Sequence, residues 1–275
     1  MIKNQNTANA NIVLFVINSF LNILYAIILA MKDYLIDTHA HLDMLSTLDV
    51  SGVGKVVVPS VEIETMDKVV ELSKNDNIFS MVGIFPSEAK TYSQEIEDKM
   101  IELAKNKKVV AVGEIGLDYY WDKSFIDIQK DVFIKQIKLA NKLNLPIVVH
   151  DREAHKDCFD ILKEHNKGSK VLFHCFSGSV EYMKECTKEG WFIALGGVVT
   201  FKNAIKMKEV AQEVPLHKLV LETDSPYLTP VPFRGSENKP AFVKYVAQEI
   251  ANLRSLPVED IIDITTTNAE EFFGI

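Results

Sequence analysis

Two histidines, His39 and His41, close the segment Asp37-Thr38-His39-Ala40-His41. In extended chain, side chains at i and i+2 share a face, so both imidazoles can turn towards one cation. Alone, this H-x-H is equally well explained as two polar residues at a strand end. Four further segments place an acid–base or metal-ligating side chain directly after a short apolar run. These are Gly113-Glu114-Ile115-Gly116-Leu117-Asp118, His150-Asp151-Arg152, His174-Cys175-Phe176-Ser177-Gly178 and Glu222-Thr223-Asp224. Each has an ordinary structural explanation: Glu114 as a helix cap, His150 and His174 as hydrogen-bonded core histidines, Asp224 as a turn residue before Pro226. Jointly those explanations fail, because four of the seven histidines and two carboxylates would each fall by chance at the end of a buried run. Imidazole with carboxylate, and no thiolate, suits Zn²⁺, Mn²⁺ or a similar ion such as Co²⁺, with Mg²⁺ accommodated where water completes the shell.

The six candidates His39, His41, Glu114, His150, His174 and Asp224 exceed the roughly three or four protein ligands that one catalytic ion takes, so two ions sharing a carboxylate is the economical arrangement. Two divalent cations against the charges of Glu114 and Asp224 leave about +2 at that point of the chain. Such a centre attracts phosphate, lowers the pKa of bound water towards ~7 and stabilises charge on attacking and leaving oxygens. Hydrolysis needs no other cofactor there.

Elements that would position these residues are visible from residue 33 onward. Eight apolar runs, rich in Val, Ile and Leu as parallel strands buried on both faces should be, lie at Tyr34–Asp37, Lys55–Val58, Phe79–Ile84, Val109–Gly113, Pro146–Val149, Lys170–Phe173, Trp191–Leu195 and Lys218–Leu221. Helical stripes separate them, for instance Ile63, Met66 and Val70, then Ile96, Met100 and Leu103, then Phe133, Ile137 and Ala140. Eight β–α units in about 245 residues predict an α/β fold, a (β/α)₈ TIM-type barrel with its active site at the C-terminal ends of the strands. An open doubly wound sheet uses the same alternation, but neither G-x-G-x-x-G nor G-x-x-x-x-G-K-[ST] occurs. No repeat or Pro/Gly-rich linker divides residues 32–275, which are expected to form one domain.

The whole chain has 275 residues, 47% of them hydrophobic, and a formal net charge of −8, a globular composition that excludes collagenous, disordered and disulfide-scaffold classes. The acidic balance argues against a broad basic surface for nucleic acid, leaving a local cationic focus at bound metal. Cys158, Cys175 and Cys186 are odd in number and form no C-x-x-C, which points to a reducing compartment. Residues 1–31 carry a single charge, Lys3, and Ile12 to Met31 is nearly continuous apolar chain broken by Asn18, Ser19 and Asn22. That length of about 20 residues suits a bilayer span, so the extension reads as a poorly flanked membrane anchor or as a mis-assigned start.

The segments DTHAHLD (Asp37–Asp43), GEIGLDYY (Gly113–Tyr120), PIVVHDREA (Pro146–Ala154), HCFSGS (His174–Ser179), ETDSPYLTPVPFRG (Glu222–Gly235) and TTTNAEEFFG (Thr265–Gly274) resemble the TatD family of metal-dependent deoxyribonucleases, within the amidohydrolase-like barrels. The resemblance runs from about Lys32 to the last residue. It implies two divalent metal ions, Mg, Mn, Zn or Co, one held by His39, His41, Glu114 and Asp224 and the other by Glu114, His150 and His174. Glu114 would then bridge, and Asp224 would orient and deprotonate the attacking water. The implied substrate is DNA, single-stranded or with a free end, hydrolysed as an exonuclease does, and the implied setting is DNA repair. Arg152 and Arg234 are placed to meet phosphate oxygens, Arg234 being the favoured one. Tyr119, Tyr120 and Trp121 offer a stacking platform for a terminal base, and Asp118 and Asp151 are placed to orient ligands.

One position departs from the family pattern, since many relatives carry a histidine in a G-x-H-P turn where this chain has Gly83-Ile84-Phe85-Pro86-Ser87. Two rival readings stand beside the nuclease. One is an amidohydrolase-type esterase or amidase, such as a D-aminoacyl-tRNA deacylase; the other is a metal-binding component of a repair complex with secondary catalysis. Because barrels of this kind begin shortly before their first H-x-H, Met31 is expected to be the working start of a cytoplasmic enzyme of net charge −9, with no obligate protein partner, and a membrane becomes a partner only if residues 1–30 are retained.

Overall fold

All eight apolar runs become strands, and they pair in chain order. The computed structural model describes Lys32 and residues 34–275. Its strands are β1 (Ile36–Asp37), β2 (Lys55–Pro59), β3 (Ile78–Val82), β4 (Val109–Asp118), β5 (Ile147–Arg152), β6 (Val171–Phe173), β7 (Phe192–Leu195) and β8 (Leu219–Leu221). Each neighbouring pair is parallel in a single eight-stranded sheet. The sheet curls on itself, and the segments leaving β1 and β8 join: Thr38 N donates to Leu221 O (3.1 Å), Asp224 N to His39 O (2.9 Å) and His41 N to Ser225 O (2.8 Å). Sequential order with joined ends is a TIM-type barrel and not a doubly wound sheet.

The helices between strands are α1 (Ile63–Leu72), α2 (Gln94–Leu103), α3 (Ile126–Leu143), α4 (His155–His165), α5 (Val180–Lys188) and α6 (Ile205–Glu213), with α7 (Val243–Arg254) and α8 (Val258–Phe273) both after β8. Only a 3₁₀ turn, Leu42–Met44, follows β1. The missing helix is replaced from the far end of the chain, where Thr266 Oγ1 of α8 donates to Tyr34 O (2.7 Å) and Asn268 Nδ2 to Leu219 O (2.7 Å). In α1 the fully buried residues are Met66 and Val69, so the stripe lies slightly round the helix from the expected Val70.

Alternation along the strands makes two apolar layers. Val57, Met81, Ala111, Val148, Leu172 and Val220 form the inner one. Phe272 of α8 joins it against Phe192, the first residue of β7, and so covers the N-terminal mouth. Their outward neighbours, such as Val56, Val82, Val149 and Phe173, pack beneath the helices. Two strands run well past their expected ends, β4 reaching Asp118 and β5 reaching Arg152. Glu114 and His150 therefore sit inside strands and not beyond them. Gly116 permits this, because its φ of +145° and the 2.0 Å that would separate a Cβ from His150 O leave room for no side chain.

Among the described residues no helix is long and apolar enough to cross a membrane. The apolar stretch Ile12 to Met31, the proposed start at Met31 and the domain limit at residue 31 lie outside the described residues.

Candidate metal centre

Period two carries the inner layer directly into the site. Val148 and His150, Leu172 and His174, and Val220 and Glu222 each share a face, so the residue after each inner apolar side chain points into the C-terminal mouth. Asp224 follows Glu222 by two, with its backbone in the left-handed region at φ 56°, which aspartate tolerates better than most side chains. His39 and His41 leave β1 tied to the same turn by the hydrogen bonds to Asp224 and Ser225. Glu114 enters from β4, where the register against β5 shifts between Val112 and Ile115.

These elements bring all six expected donors together. Glu114 divides its carboxylate between two histidine pairs: Oε2 lies 3.2 Å from His39 Nε2 and 3.9 Å from His41 Nε2, while Oε1 lies 2.6 Å from His174 Nε2 and 2.8 Å from His150 Nδ1. Asp224 Oδ1 closes the first half, 3.4 Å from His41 Nε2 and 3.9 Å from His39 Nε2. In the second half, His150 Nδ1 and His174 Nε2 approach to 3.3 Å. Donor atoms of His39, Glu114 and His174, and those of His39, His41 and Asp224, lie within 4.8 Å of one another.

The donor set fits divalent metal. Both nitrogens of His39, and Nδ1 of His41 and of His174, are buried with no hydrogen-bond partner among the described residues. Buried polar atoms are rarely left so in a purely structural network; of these, His39 Nε2 faces the Glu114 and Asp224 carboxylates, where a cation would take its lone pair.

Electrostatics pull members of the cluster in opposite directions. Burial, seconded by the charge of His174, pushes His39 down to about 4. Burial also opposes charge on His150, but the bonds to Asp118 and Glu114 prevail and carry it up to about 9. For Glu114 and Asp224 burial favours the neutral acid, yet the surrounding histidines hold both below the usual carboxylate range. Both are therefore anions at neutral pH, as metal ligands must be.

Around the donors, Asp118 Oδ2 lies 3.1 Å from His150 Nε2, leaving Nδ1 to face Glu114. Asp151 does not join it. That carboxylate lies 2.9 Å from His155 Nδ1 and accepts from Tyr182 Oη (3.0 Å) and Ala154 N (3.3 Å), which ties the start of α4 to α5. Tyr119 turns away from the mouth to donate to Asp157 Oδ2 (2.7 Å). Arg234 is engaged in its own loop, donating to Thr229 O (3.0 Å) and stacking 3.9 Å above the Phe201 ring. Arg152 lies over the Tyr120 ring at 3.9 Å. Phe85, at the position that departs from the family pattern, sets its ring edge-on to His150 with centroids 4.5 Å apart.

Two buried acids beneath the donors were not singled out by sequence reasoning. Asp37 accepts from Thr223 N (2.9 Å) and Thr223 Oγ1 (2.5 Å), and burial pushes it up to about 7. Glu222 accepts from Cys175 N (2.5 Å), and burial, then the charge of Asp224, raises it well above the usual range. Their only sequence signal is spacing, each two residues before a donor.

Residues 36–274 match the family described as TatD related DNase. The chain is 44% identical over 255 residues to YabD of Bacillus subtilis, an uncharacterized metal-dependent hydrolase, covering 88% of this chain and 99% of that one. Against YcfH of Escherichia coli, another such hydrolase, it is 35% identical over 257 residues, covering 88% and 96%. The crystal structure of YjjV, a TatD homolog from Escherichia coli, superimposes with a TM-score of 0.81 at 30% identity, covering 88% of this chain and 98% of that one.

Proposed function

The chain belongs to the TatD family of metal-dependent hydrolases, and from that premise we propose that it is a deoxyribonuclease that removes nucleotides from a free DNA end with two divalent ions. The observation that carries this reading is the division of Glu114, one oxygen to His39 and His41 and the other to His150 and His174. A carboxylate so shared would suit two ions, one of which His39, His41 and Asp224 would help to hold and the other His150 and His174. Divalent ions bound there supply charge neutralisation for phosphoryl oxygens and acidify water.

The chain's own side chains do the rest. Asp224 has the most exposed carboxylate of the donor set, at 15%, and is held ionised by His41, so its Oδ1 is placed to accept the proton of an attacking water. Asp118 fixes the ring of His150. Arg152 brings a positive charge to the mouth, suited to a phosphodiester rather than to an apolar acyl group.

The test is digestion of end-labelled single-stranded DNA by protein whose metal content has been measured as isolated, with an aminoacyl-tRNA control. Shortening from an end is expected, abolished by chelation and reduced at least about 10³-fold in kcat by Asp224→Ala or His174→Ala, a loss of the size seen when a residue central to hydrolysis is removed. Full activity after exhaustive chelation refutes the reading, and so does deacylation of the tRNA with the DNA left intact.

A further inference from the structure

We propose that Trp121, Tyr120 and Arg152 form the subsite for the nucleotide next to the scissile phosphate, its base stacked on Trp121 and its phosphate gripped by Arg152. This rests on the phosphodiester reading above and narrows it to substrates whose end nucleotide is unstacked.

Trp121 is 72% exposed, more than any other large apolar side chain among the described residues. It is not a lone surface residue, because Tyr120 beside it is also exposed, at 48%, and the two make one aromatic patch. Nor does it sit on a loose loop. Asp118 Oδ1 accepts the amides of Tyr120 (2.9 Å) and Trp121 (3.4 Å), and the side-chain amide of Gln129 clasps the backbone of Asp118 on both sides, at 2.9 Å and 3.1 Å. Tyr120 buttresses the indole edge to face, with centroids 4.8 Å apart and planes at 86°.

Arg152 differs from the two other arginines of the chain. Arg234 donates to Thr229 O, and Arg254 donates to Ala211 O and Val214 O. The Arg152 side chain makes no hydrogen bond or ion pair among the described residues; its guanidinium lies 3.9 Å from the Tyr120 ring centroid and 5.4 Å from that of Trp121. Stacked in this way, a guanidinium keeps its edge N–H groups free for the forked grip on a phosphate. Arg152 stands two residues along β5 from His150, about 7 Å in extended chain, and pairs in register with Asp118.

Asp118 therefore carries the platform through one oxygen and His150 through the other, so the base subsite and the metal centre hang from the same side chain. Stacking tolerates any base but requires an unpaired one, which selects a single strand or a frayed end.

Binding is tested by calorimetry on full-length protein in an Asp224→Asn background, which removes turnover. The probes are an eight-thymidine single strand and an abasic strand of equal length. Trp121→Ala should weaken the thymidine strand about 5- to 150-fold, Trp121→Phe should restore most of the loss, and the abasic strand should bind all three alike. Arg152→Met should weaken both strands and reduce the salt slope by roughly one ion or slightly less. Fluorescence adds a direct readout, because the second tryptophan, Trp191, is buried at 6% exposure against Phe159 and Phe173, so quenching by the thymidine strand reports Trp121. The proposal is overturned if Trp121→Ala binds the thymidine strand within twofold of its parent, or loses both strands equally. Cleavage separates the two readings: Trp121-dependent binding without DNA hydrolysis by the unmodified enzyme removes the reaction and keeps the subsite, whereas hydrolysis with a KM unchanged by Trp121→Ala keeps the reaction and removes the subsite.

Discussion

Replacing Asp118 by asparagine changes one carboxylate oxygen to an amide group with no change of shape, and so isolates what the carboxylate does for His150. In the folded chain Oδ1 accepts the amides of Tyr120 and Trp121, and Oδ2 lies 3.1 Å from His150 Nε2. An asparagine satisfies the two loop amides only with its oxygen on that side, which turns its NH₂ towards Nε2. His150 escapes the donor-against-donor contact by shifting its proton to Nδ1, where Glu114 Oε1 at 2.8 Å accepts it. That tautomer leaves Nδ1 no lone pair for a cation. To hold metal the variant must forgo a hydrogen bond to a charged group, about 1.5–3 kcal/mol, which is roughly 10- to 150-fold in affinity and agrees with the loss of about 10- to 100-fold common for partners of metal-bound histidines. Asp118→Ala leaves Nε2 free to find water, so it should weaken metal less than Asp118→Asn while unfastening the loop and raising KM for single-stranded DNA more. Chelator competition measures the first quantity and initial rates the second. Metal affinity within twofold of the unmodified protein in Asp118→Asn, or a weaker hold on metal in Asp118→Ala than in Asp118→Asn, refutes the reasoning.

Two other outcomes follow from the same geometry. In chelated protein His150 is pushed up to about 9 from an ordinary 6.5. Its protonation therefore stabilises the fold fully below pH 6.5, and this is lost as pH rises through about 9, a difference of about 3 kcal/mol. Urea unfolding near pH 6 and pH 10 should show that fall in the unmodified protein and a flatter profile in His150→Gln; parallel profiles would contradict it. Metal affinity should run the other way and strengthen with pH, since cation displaces proton. Gly116→Ala places a Cβ 2.0 Å from His150 O at φ +145° and should cost about 3 kcal/mol or more, lowering Tm by roughly 6–12 °C. Gly190→Ala, also at positive φ but with open space around the Cβ, should cost only about 1–2 kcal/mol; equal losses by calorimetry would show that crowding at His150 is not the cause.

Much of the barrel and its donor set can be read from local pattern, because both depend on alternation. Runs of Val, Ile and Leu mark the strands, and residues such as His174, two beyond Leu172, inherit the inward direction of the apolar neighbour. What escapes is which of several possible partners a side chain takes in the fold. Asp118 and Asp151 look alike, each beside a candidate donor on an adjacent strand, yet Asp118 meets His150 from 32 positions away while Asp151 is captured by His155 four residues on. Arg152 and Arg234 are equally plausible phosphate contacts in one dimension, and only the fold shows Arg234 bound to its own loop. The length of β4 is hidden for a related reason, since a strand that must pass a carbonyl 2.0 Å from where a Cβ would lie depends on Gly116 and on β5 together.

The centre also breaks the consistency that the rest of the barrel obeys. Elsewhere burial removes apolar surface, as with Phe272 or Val57, or encloses neutral polar groups such as Gln129, Gln136 and Asn268 that are hydrogen-bonded to backbone; here it encloses four imidazoles and at least four carboxylic acids within one mouth. The fold does not let these groups neutralise one another completely. His39 is driven towards the neutral base, Asp37 and Glu222 towards the neutral acid, and Glu114 and Asp224 are kept as anions. His39 Nε2 remains without a hydrogen-bond partner among the described residues although it faces both of those anions. Local instability of that kind marks a site shaped for a ligand, and it persists because strands fully packed on both faces fix the backbone beneath it. A divalent cation relieves the strain from both directions at once, engaging imidazole lone pairs without adding protons and offsetting the carboxylate charge that burial opposes. Metal binding and folding would thereby be linked: the opposed charges that destabilise the mouth are also what would give a cation its hold.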